Sequence, residues 1–185
     1  MGAGPVRRRA ALAAAFAFGP SLALAHPLDE VVQGAYLTLA PGEVRLELDL
    51  TPGSMVAGTL LARLDTDGDR VVSQAEAHAF AAEVLKQAPL RLDGRKAVWR
   101  VRSVTVPPYA NLETASDTMK IFAVAERPTR EGRRALVFEN RYAPAKSQVI
   151  ANIFLQPAGG WRYRVTAQRH SPDGRRYEAS YIVER

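Results

Sequence analysis

Residues 43–50 read EVRLELDL, and this stretch decides the fold class. Its apolar residues alternate with charged ones, which is the two-residue period of a β-strand that buries one face. The preceding segment, Val31–Leu39, alternates more weakly, and Ala40-Pro41-Gly42 between the two is a turn signal. The pattern predicts a β-hairpin over residues 31–50.

The second half of the chain repeats the strand signal many times. Asp93-Gly94 marks a hairpin inside LRLDGRKAVWRV, residues 90–101, and Gly159-Gly160 and Pro172-Asp173-Gly174 mark later turns. Further strands are predicted at 97–106, 119–125, 135–142, 149–155, 161–168 and 176–183. Eight or nine short strands at regular spacing predict a mainly β fold, an antiparallel β-sandwich.

Between the second and third strands the period changes to that of a helix. Apolar residues recur at helical spacing over 55–64 and 74–87, and Pro89 closes the second run. We therefore expect a helix–loop–helix insert over residues 54–88, within a single β-sandwich domain that spans residues 26–185.

The amino terminus has the order of a secretory signal peptide. Three arginines (Arg7, Arg8, Arg9) precede an apolar run from Ala10 to Leu24 and a final Ala23-Leu24-Ala25. This run is shorter than the ~20 residues that a membrane-spanning helix needs. The sequence predicts a signal peptide over residues 1–25, cleavage between Ala25 and His26, and a periplasmic or secreted protein with no transmembrane segment in the mature chain.

Composition excludes several classes of function for this chain. The 185-residue chain has no cysteine, which excludes disulfides and thiolate chemistry. Its formal charge is +6, but three of the 25 basic residues belong to the signal, leaving 22 against 19 acidic residues. A balance this close to neutral does not indicate a nucleic-acid partner. No catalytic motif is present, so we do not expect an enzyme.

The loop of the predicted insert concentrates oxygen-bearing side chains. Residues 65–76 read DTDGDRVVSQAE. Counted from its first residue, positions 1, 3, 5, 9 and 12 carry side-chain oxygens and position 7 offers a backbone carbonyl, which is an oxygen set that suits calcium. The predicted metal ligands are Asp65, Asp67, Asp69, Val71, Ser73 and Glu76.

This stretch resembles the EF-hand calcium-binding family at its ligand positions. The resemblance implies a calcium ion held between two helices, and the flanking apolar residues of both predicted helices match the family's contacts. Arg70 stands at position 6, where the family has glycine because the backbone turns there with positive φ. A residue other than glycine costs about 1–2 kcal/mol in that conformation, so we expect a weakened site. No second loop is found, which favours a structural or modestly regulatory role.

An ordinary helix start is the competing interpretation of the same residues. Ser73 and Glu76 have the spacing of a capping box, and Asp-Gly pairs are common turn formers. A cap and a polar turn do not require Asp65 and Asp67 as well, since clustered carboxylates repel one another.

Two further hypotheses come from the rest of the mature chain. His26 would be the amino-terminal residue after cleavage, and a terminal histidine can bind copper through its amine and ring. The segments HPLDEVVQGAYLTL (26–39) and FENRYAPAKSQVIANIFL (138–155) weakly resemble extracytoplasmic parts of hydrogenase and urease accessory permeases. That resemblance implies a periplasmic accessory or protein-interaction module, with an envelope protein as partner and a degenerate loop. The sequence leaves the oligomeric state open.

Overall fold

The structure is a computed structural model and describes residues 28–185. The predicted signal peptide, its cleavage site and His26 lie outside the described residues. Within them, the chain forms β1 (Val31–Ala40), β2 (Glu43–Pro52), α1 (Ala57–Leu64), α2 (Gln74–Lys86), β3 (Leu90–Leu92), β4 (Arg95–Ala97), β5 (Arg100–Thr105), α3 (Tyr109–Glu113), β6 (Met119–Glu126), β7 (Gly132–Glu139), β8 (Ser147–Leu155), β9 (Arg162–His170) and β10 (Arg176–Glu184).

The hairpin predicted from EVRLELDL is formed by β1 and β2. The two strands pair antiparallel, with Leu37 opposite Leu46 and Ala35 opposite Leu48, and these four side chains are buried. Gly42 closes the turn with a φ of 82°, a conformation that glycine adopts without steric penalty. The alternation in the sequence is therefore the alternation between the core and the surface.

Two five-stranded sheets contain the ten strands of the described residues. The first has the order β5-β6-β2-β1-β8 and the second the order β4-β3-β7-β10-β9. Both contribute to one cluster of buried residues, so the predicted mainly β sandwich is confirmed. One pairing differs from the antiparallel expectation, because β8 lies parallel to β1. The chain reaches β8 from β7 in the other sheet, and a strand that crosses between sheets is free to enter in either direction.

The strand predicted over 97–106 is divided between the two sheets. β4 ends at Ala97 in the second sheet and β5 begins at Arg100 in the first. Trp99 lies between them, and its indole Nε1–H donates a hydrogen bond of 2.7 Å to the carbonyl of Ala88. This contact fixes the crossing point, which the apolar run Ala97-Val98-Trp99 does not reveal in the sequence.

A buried polar network ends β7 at Glu139, three residues before the predicted end. The amide of Asn140 donates to Gln33 Oε1 at 2.7 Å, and Gln33 Nε2 donates to the carbonyl of Tyr142 at 3.0 Å. Gln33 and Asn140 are fully buried, so these bonds replace the water that both side chains lose on folding. The segment that leaves β7 is thereby attached to β1.

The helices α1 and α2 follow β2 in the chain and pack onto the same core. Their buried faces are Ala57, Leu60, Leu61 and Leu64 in α1, and Ala77, Phe80, Ala81, Val84 and Leu85 in α2. Phe80 meets the ring of Tyr142 edge-on at 6.0 Å between centroids. Because both helices are anchored, the loop between them has fixed ends. Among the helices of the described residues, none has the length and apolar character needed to cross a membrane.

Candidate metal centre

The acidic loop runs from the end of α1 to the start of α2. Asp65 is the residue that follows the last turn of α1, and its backbone N–H donates to the carbonyl of Leu61 at 2.8 Å. Ser73 caps α2, where it and Glu76 form the capping box that the sequence predicts. Each end of the loop is therefore a defined helix terminus.

Asp65 organises the first half of the loop. Its side chain is only 7% exposed, and each carboxylate oxygen accepts a backbone hydrogen bond, Oδ1 from Gly68 N–H at 2.9 Å and Oδ2 from Arg70 N–H at 3.0 Å. A carboxylate oxygen has two lone pairs, so each oxygen keeps capacity for a second partner. The backbone curls around this one carboxylate.

Arg70 takes the left-handed conformation expected at its loop position, with a φ of 65°. Its guanidinium is directed to α3, where Nη2 lies 2.9 Å from Glu113 Oε2 and Cζ lies 5.0 Å from the ring centroid of Tyr109. The positive charge that the sequence places in the loop is thus paired with a carboxylate from outside it.

Glu76 ties the beginning of the loop to its end. Oε1 accepts hydrogen bonds from the N–H and the hydroxyl of Thr66, at 2.6 and 2.8 Å. Oε2 accepts the N–H and the hydroxyl of Ser73, at 3.0 and 2.8 Å. These donors, with the Ser73 N–H first among them, lower the pKa of Glu76 to about 2. The carboxylate is ionised and held in place.

Three carboxylates converge within this frame. Asp65, Asp67 and Glu76 each offer one oxygen, and the three oxygens lie within 4.8 Å of one another. Calcium binds oxygens at about 2.3–2.6 Å, so two oxygens on opposite sides of the ion are about 5 Å apart. The spacing of the three oxygens is therefore compatible with one shared calcium ion.

Asp67 shows the electrostatic consequence of this crowding. A hydrogen bond from the Asp69 N–H lowers the pKa of Asp67, but partial desolvation and the carboxylates of Asp69, Glu76 and Asp65 outweigh it. The net result is a pKa raised above the ordinary 3.8. A cation placed among these oxygens would relieve that repulsion.

Of the other three predicted ligands, Asp69 is the carboxylate that does not belong to this group. Asp69 turns back onto its own loop, where Oδ1 accepts the Val71 N–H at 2.7 Å. The Val71 side chain is 66% exposed. The Ser73 hydroxyl is engaged with Glu76, since it donates to Oε2 and accepts the Glu76 N–H at 3.2 Å. The structure thus brings together the three carboxylates of Asp65, Asp67 and Glu76, and the Ser73 hydroxyl contacts one of them.

Sequence reasoning missed the residues that support the loop. Thr66 gives Glu76 two of its hydrogen bonds, but at loop position 2 it carries no ligand signal. Glu113 and Tyr109 belong to α3, a helix that the sequence analysis did not predict. Their contact with Arg70 joins residues that are distant in the chain, and no local sequence pattern predicts it.

No protein-family model matches the chain, and none of the curated proteins compared with it matches. The interpretation of the loop therefore depends on the chemistry of its own residues.

Proposed function

We propose that this protein is an exported calcium-binding protein that holds one ion in the loop between α1 and α2. The observation that carries the proposal is the convergence of oxygens from Asp65, Asp67 and Glu76 within 4.8 Å. Asp65 is already fixed by one backbone donor on each oxygen and keeps a free lone pair on both, so it needs little side-chain ordering for binding. Glu76 accepts two donors on each oxygen, so in this proposal the ion replaces one of them, such as the Thr66 hydroxyl.

The role of the ion is structural or modestly regulatory. Each end of the loop is a helix terminus whose helix is anchored in the core. An ion that bridges Asp65 and Glu76 joins the end of α1 to the first turn of α2, and binding to the folded state alone stabilises that state. Extracellular calcium modules work at about 10⁻⁴–10⁻³ M, which is the range of affinity that we expect for this loop.

The test compares Asp67, which belongs to the group of three converging carboxylates, with Asp69, which does not. Asp67 and Asp69 are both exposed, and each accepts one backbone N–H, but only Asp67 belongs to the three converging carboxylates. Asp67→Asn is expected to weaken calcium binding about tenfold or more, and Asp69→Asn, the matched control, by clearly less. Isothermal titration calorimetry against calcium and magnesium measures both.

One outcome would overturn the proposal, and two others would favour a different ligand set or a different metal. Equal losses in the two variants would favour the six-ligand site predicted from the sequence over the three-carboxylate site. An absence of calcium heat, together with a melting temperature that calcium does not change, would leave the capping box as the whole purpose of the loop. A copper signal that His26→Ala abolishes and Asp67→Asn preserves would favour the copper hypothesis.

A further inference from the structure

A second feature of the molecule lies on the outer face of the second sheet. The carboxyl-terminal half of α2, the β3–β4 hairpin and the strands β7 and β10 enclose a cleft of about 660 Å³. Small-molecule sites commonly measure about 300–1,000 Å³. The cleft is therefore large enough for a small organic ligand.

Basic residues dominate the charged part of its lining. The cleft carries five cationic side chains and one carboxylate; the cations are Lys86, Arg91, Lys96, Arg141 and Arg176, and the carboxylate is Glu139. Arg141 Nη2 binds Glu139 Oε2 at 2.6 Å, and Arg176 binds Glu178 beside the cleft at 2.7 Å. In the described part of the chain, no ion pair involves Lys86 or Lys96.

The rest of the lining is apolar and partly rigid. Val98 is 71% exposed and stands next to Trp99, whose ring orientation is fixed by the hydrogen bond to the Ala88 carbonyl. Val101 and Val137 extend the apolar surface across the cleft. A preformed aromatic wall beside unpaired ammonium groups offers two kinds of contact to one ligand.

A second large cavity has no excess of positive or negative side chains in its lining. It measures about 820 Å³ on the outer face of the first sheet, and its lining has three cations and three carboxylates: Arg45, Arg102, Lys120, Glu43, Glu47 and Asp49. Lys120 is paired with Glu47 and Asp49, and Arg45 with Glu43. Its cations and carboxylates are equal in number and, among the described residues, all but Arg102 are in ion pairs, whereas the basic cleft has an excess of four cations over carboxylates.

We propose that the basic cleft binds a small anionic molecule with an aromatic or aliphatic body. The anionic group meets Lys86 and Lys96, and the apolar body lies along Val98 and Trp99. This site is separate from the calcium loop and uses none of its residues. An anion is the complement of the charge excess, and the apolar wall selects an amphiphile over a bare ion.

The test compares three probes on the purified protein: the anionic dye 1-anilinonaphthalene-8-sulfonate, the uncharged dye N-phenyl-1-naphthylamine, and inorganic phosphate. In a Trp161→Phe background, Trp99 is the remaining tryptophan of the two in the chain. The anionic dye is expected to quench Trp99 fluorescence saturably with one dye per chain, and the uncharged dye to bind about tenfold more weakly. Phosphate at millimolar concentration is expected to displace little dye.

Matched double variants locate the site. Lys86→Gln with Lys96→Gln is expected to weaken dye binding about tenfold, which corresponds to about 1.4 kcal/mol. Arg162→Gln with Arg164→Gln removes the same charge from exposed positions of β9 outside the cleft and is expected to change the dissociation constant less than twofold. Equal effects of the two double variants, equal binding of the two dyes, displacement by phosphate below a millimolar, or no dye binding would each overturn the proposal.

Discussion

Arg70 combines a strained backbone with a well-placed side chain. A φ of 65° at a residue with a Cβ costs about 1–2 kcal/mol relative to glycine. Its pair with Glu113 is exposed and so contributes about 0–1 kcal/mol. The contact with the Tyr109 ring adds about 0.5–1 kcal/mol at such a site. The side chain thus offsets much of the strain, which explains how the loop accepts arginine where the EF-hand pattern has glycine.

Replacing Arg70 by glycine and by alanine separates the two contributions. Both variants lose the contacts with Glu113 and Tyr109, but only glycine also removes the backbone strain. The free energy of unfolding is therefore expected to be about 1 kcal/mol greater for Arg70→Gly than for Arg70→Ala. Urea denaturation without divalent cations measures the difference, and an alanine variant as stable as the glycine variant would show that the backbone here is unstrained.

Glu76 makes the stability of the loop sensitive to acid. Its pKa falls from the ordinary 4.5 to about 2 on folding, so its ionised form stabilises the fold above pH 4.5 and this contribution is lost as the pH falls from about 4.5 to 2. Asp67 acts in the opposite direction, because its raised pKa favours the protonated form in the folded state.

Melting temperatures between pH 5 and pH 2 are expected to fall less steeply in Glu76→Gln than in the wild type. Thr66→Val removes one hydroxyl donor to Glu76 and keeps the backbone donor, so its slope is expected to lie between the two. Circular dichroism follows each transition. An equal pH dependence of the melting temperature in all three proteins would mean that the hydrogen bonds to Glu76 do not lower its pKa.

At the scale of elements, the turn between β9 and β10 packs tightly against β8. A Cβ built on Gly174 would lie 2.0 Å from the carbonyl oxygen of Val149, and Gly174 also has a φ of 70°. Gly94 in the β3–β4 turn has a similar φ of 77°, but a Cβ there would meet no atom within 4 Å. Both positions favour glycine because their φ is positive. Only Gly174 also needs glycine because a Cβ there would clash with Val149.

Alanine substitution at the two glycines is expected to give different losses. Gly94→Ala is expected to destabilise the protein by about 1 kcal/mol through backbone conformation alone. Gly174→Ala is expected to cost about 1–3 kcal/mol more, because the turn and β8 must separate. Thermal unfolding of both variants measures this, and equal losses would indicate that the β9–β10 turn moves away from Val149 freely.

Element boundaries were predictable where the signal is local. The capping box of Ser73 and Glu76 marks the start of α2, and the structure begins the helix there. The break between β4 and β5 was not predictable, because Ala97, Val98 and Trp99 form an apolar run that suits one continuous strand. At this break Trp99 Nε1–H donates to the carbonyl of Ala88, whose position depends on how α2 packs.

At the scale of the whole molecule, the alternating pattern predicted two packed sheets but not the order of the strands within each sheet. Burial of every second residue requires a second layer over the sheet, and in this molecule that layer is another sheet. The period does not encode which strand is a neighbour, so the parallel pairing of β1 with β8 was not foreseen. The same limit applies to the loop. Its spacing indicated six ligands but neither the hydrogen bonds from Thr66 to Glu76 nor the pair between Arg70 and Glu113 of α3.

The β1–β8 pairing also governs how the chain must reach its native state. Val31 pairs with Ser147, far along the chain, so one flank of β1 stays bare until most of the polypeptide has emerged. Ring closure over such a distance carries a large entropic barrier, and folds dominated by such distant pairings mature in about milliseconds to seconds. During that interval the bare flank is a template for mispairing with other chains. Late completion of the first sheet thus leaves the unfinished chain exposed to aggregation at this edge.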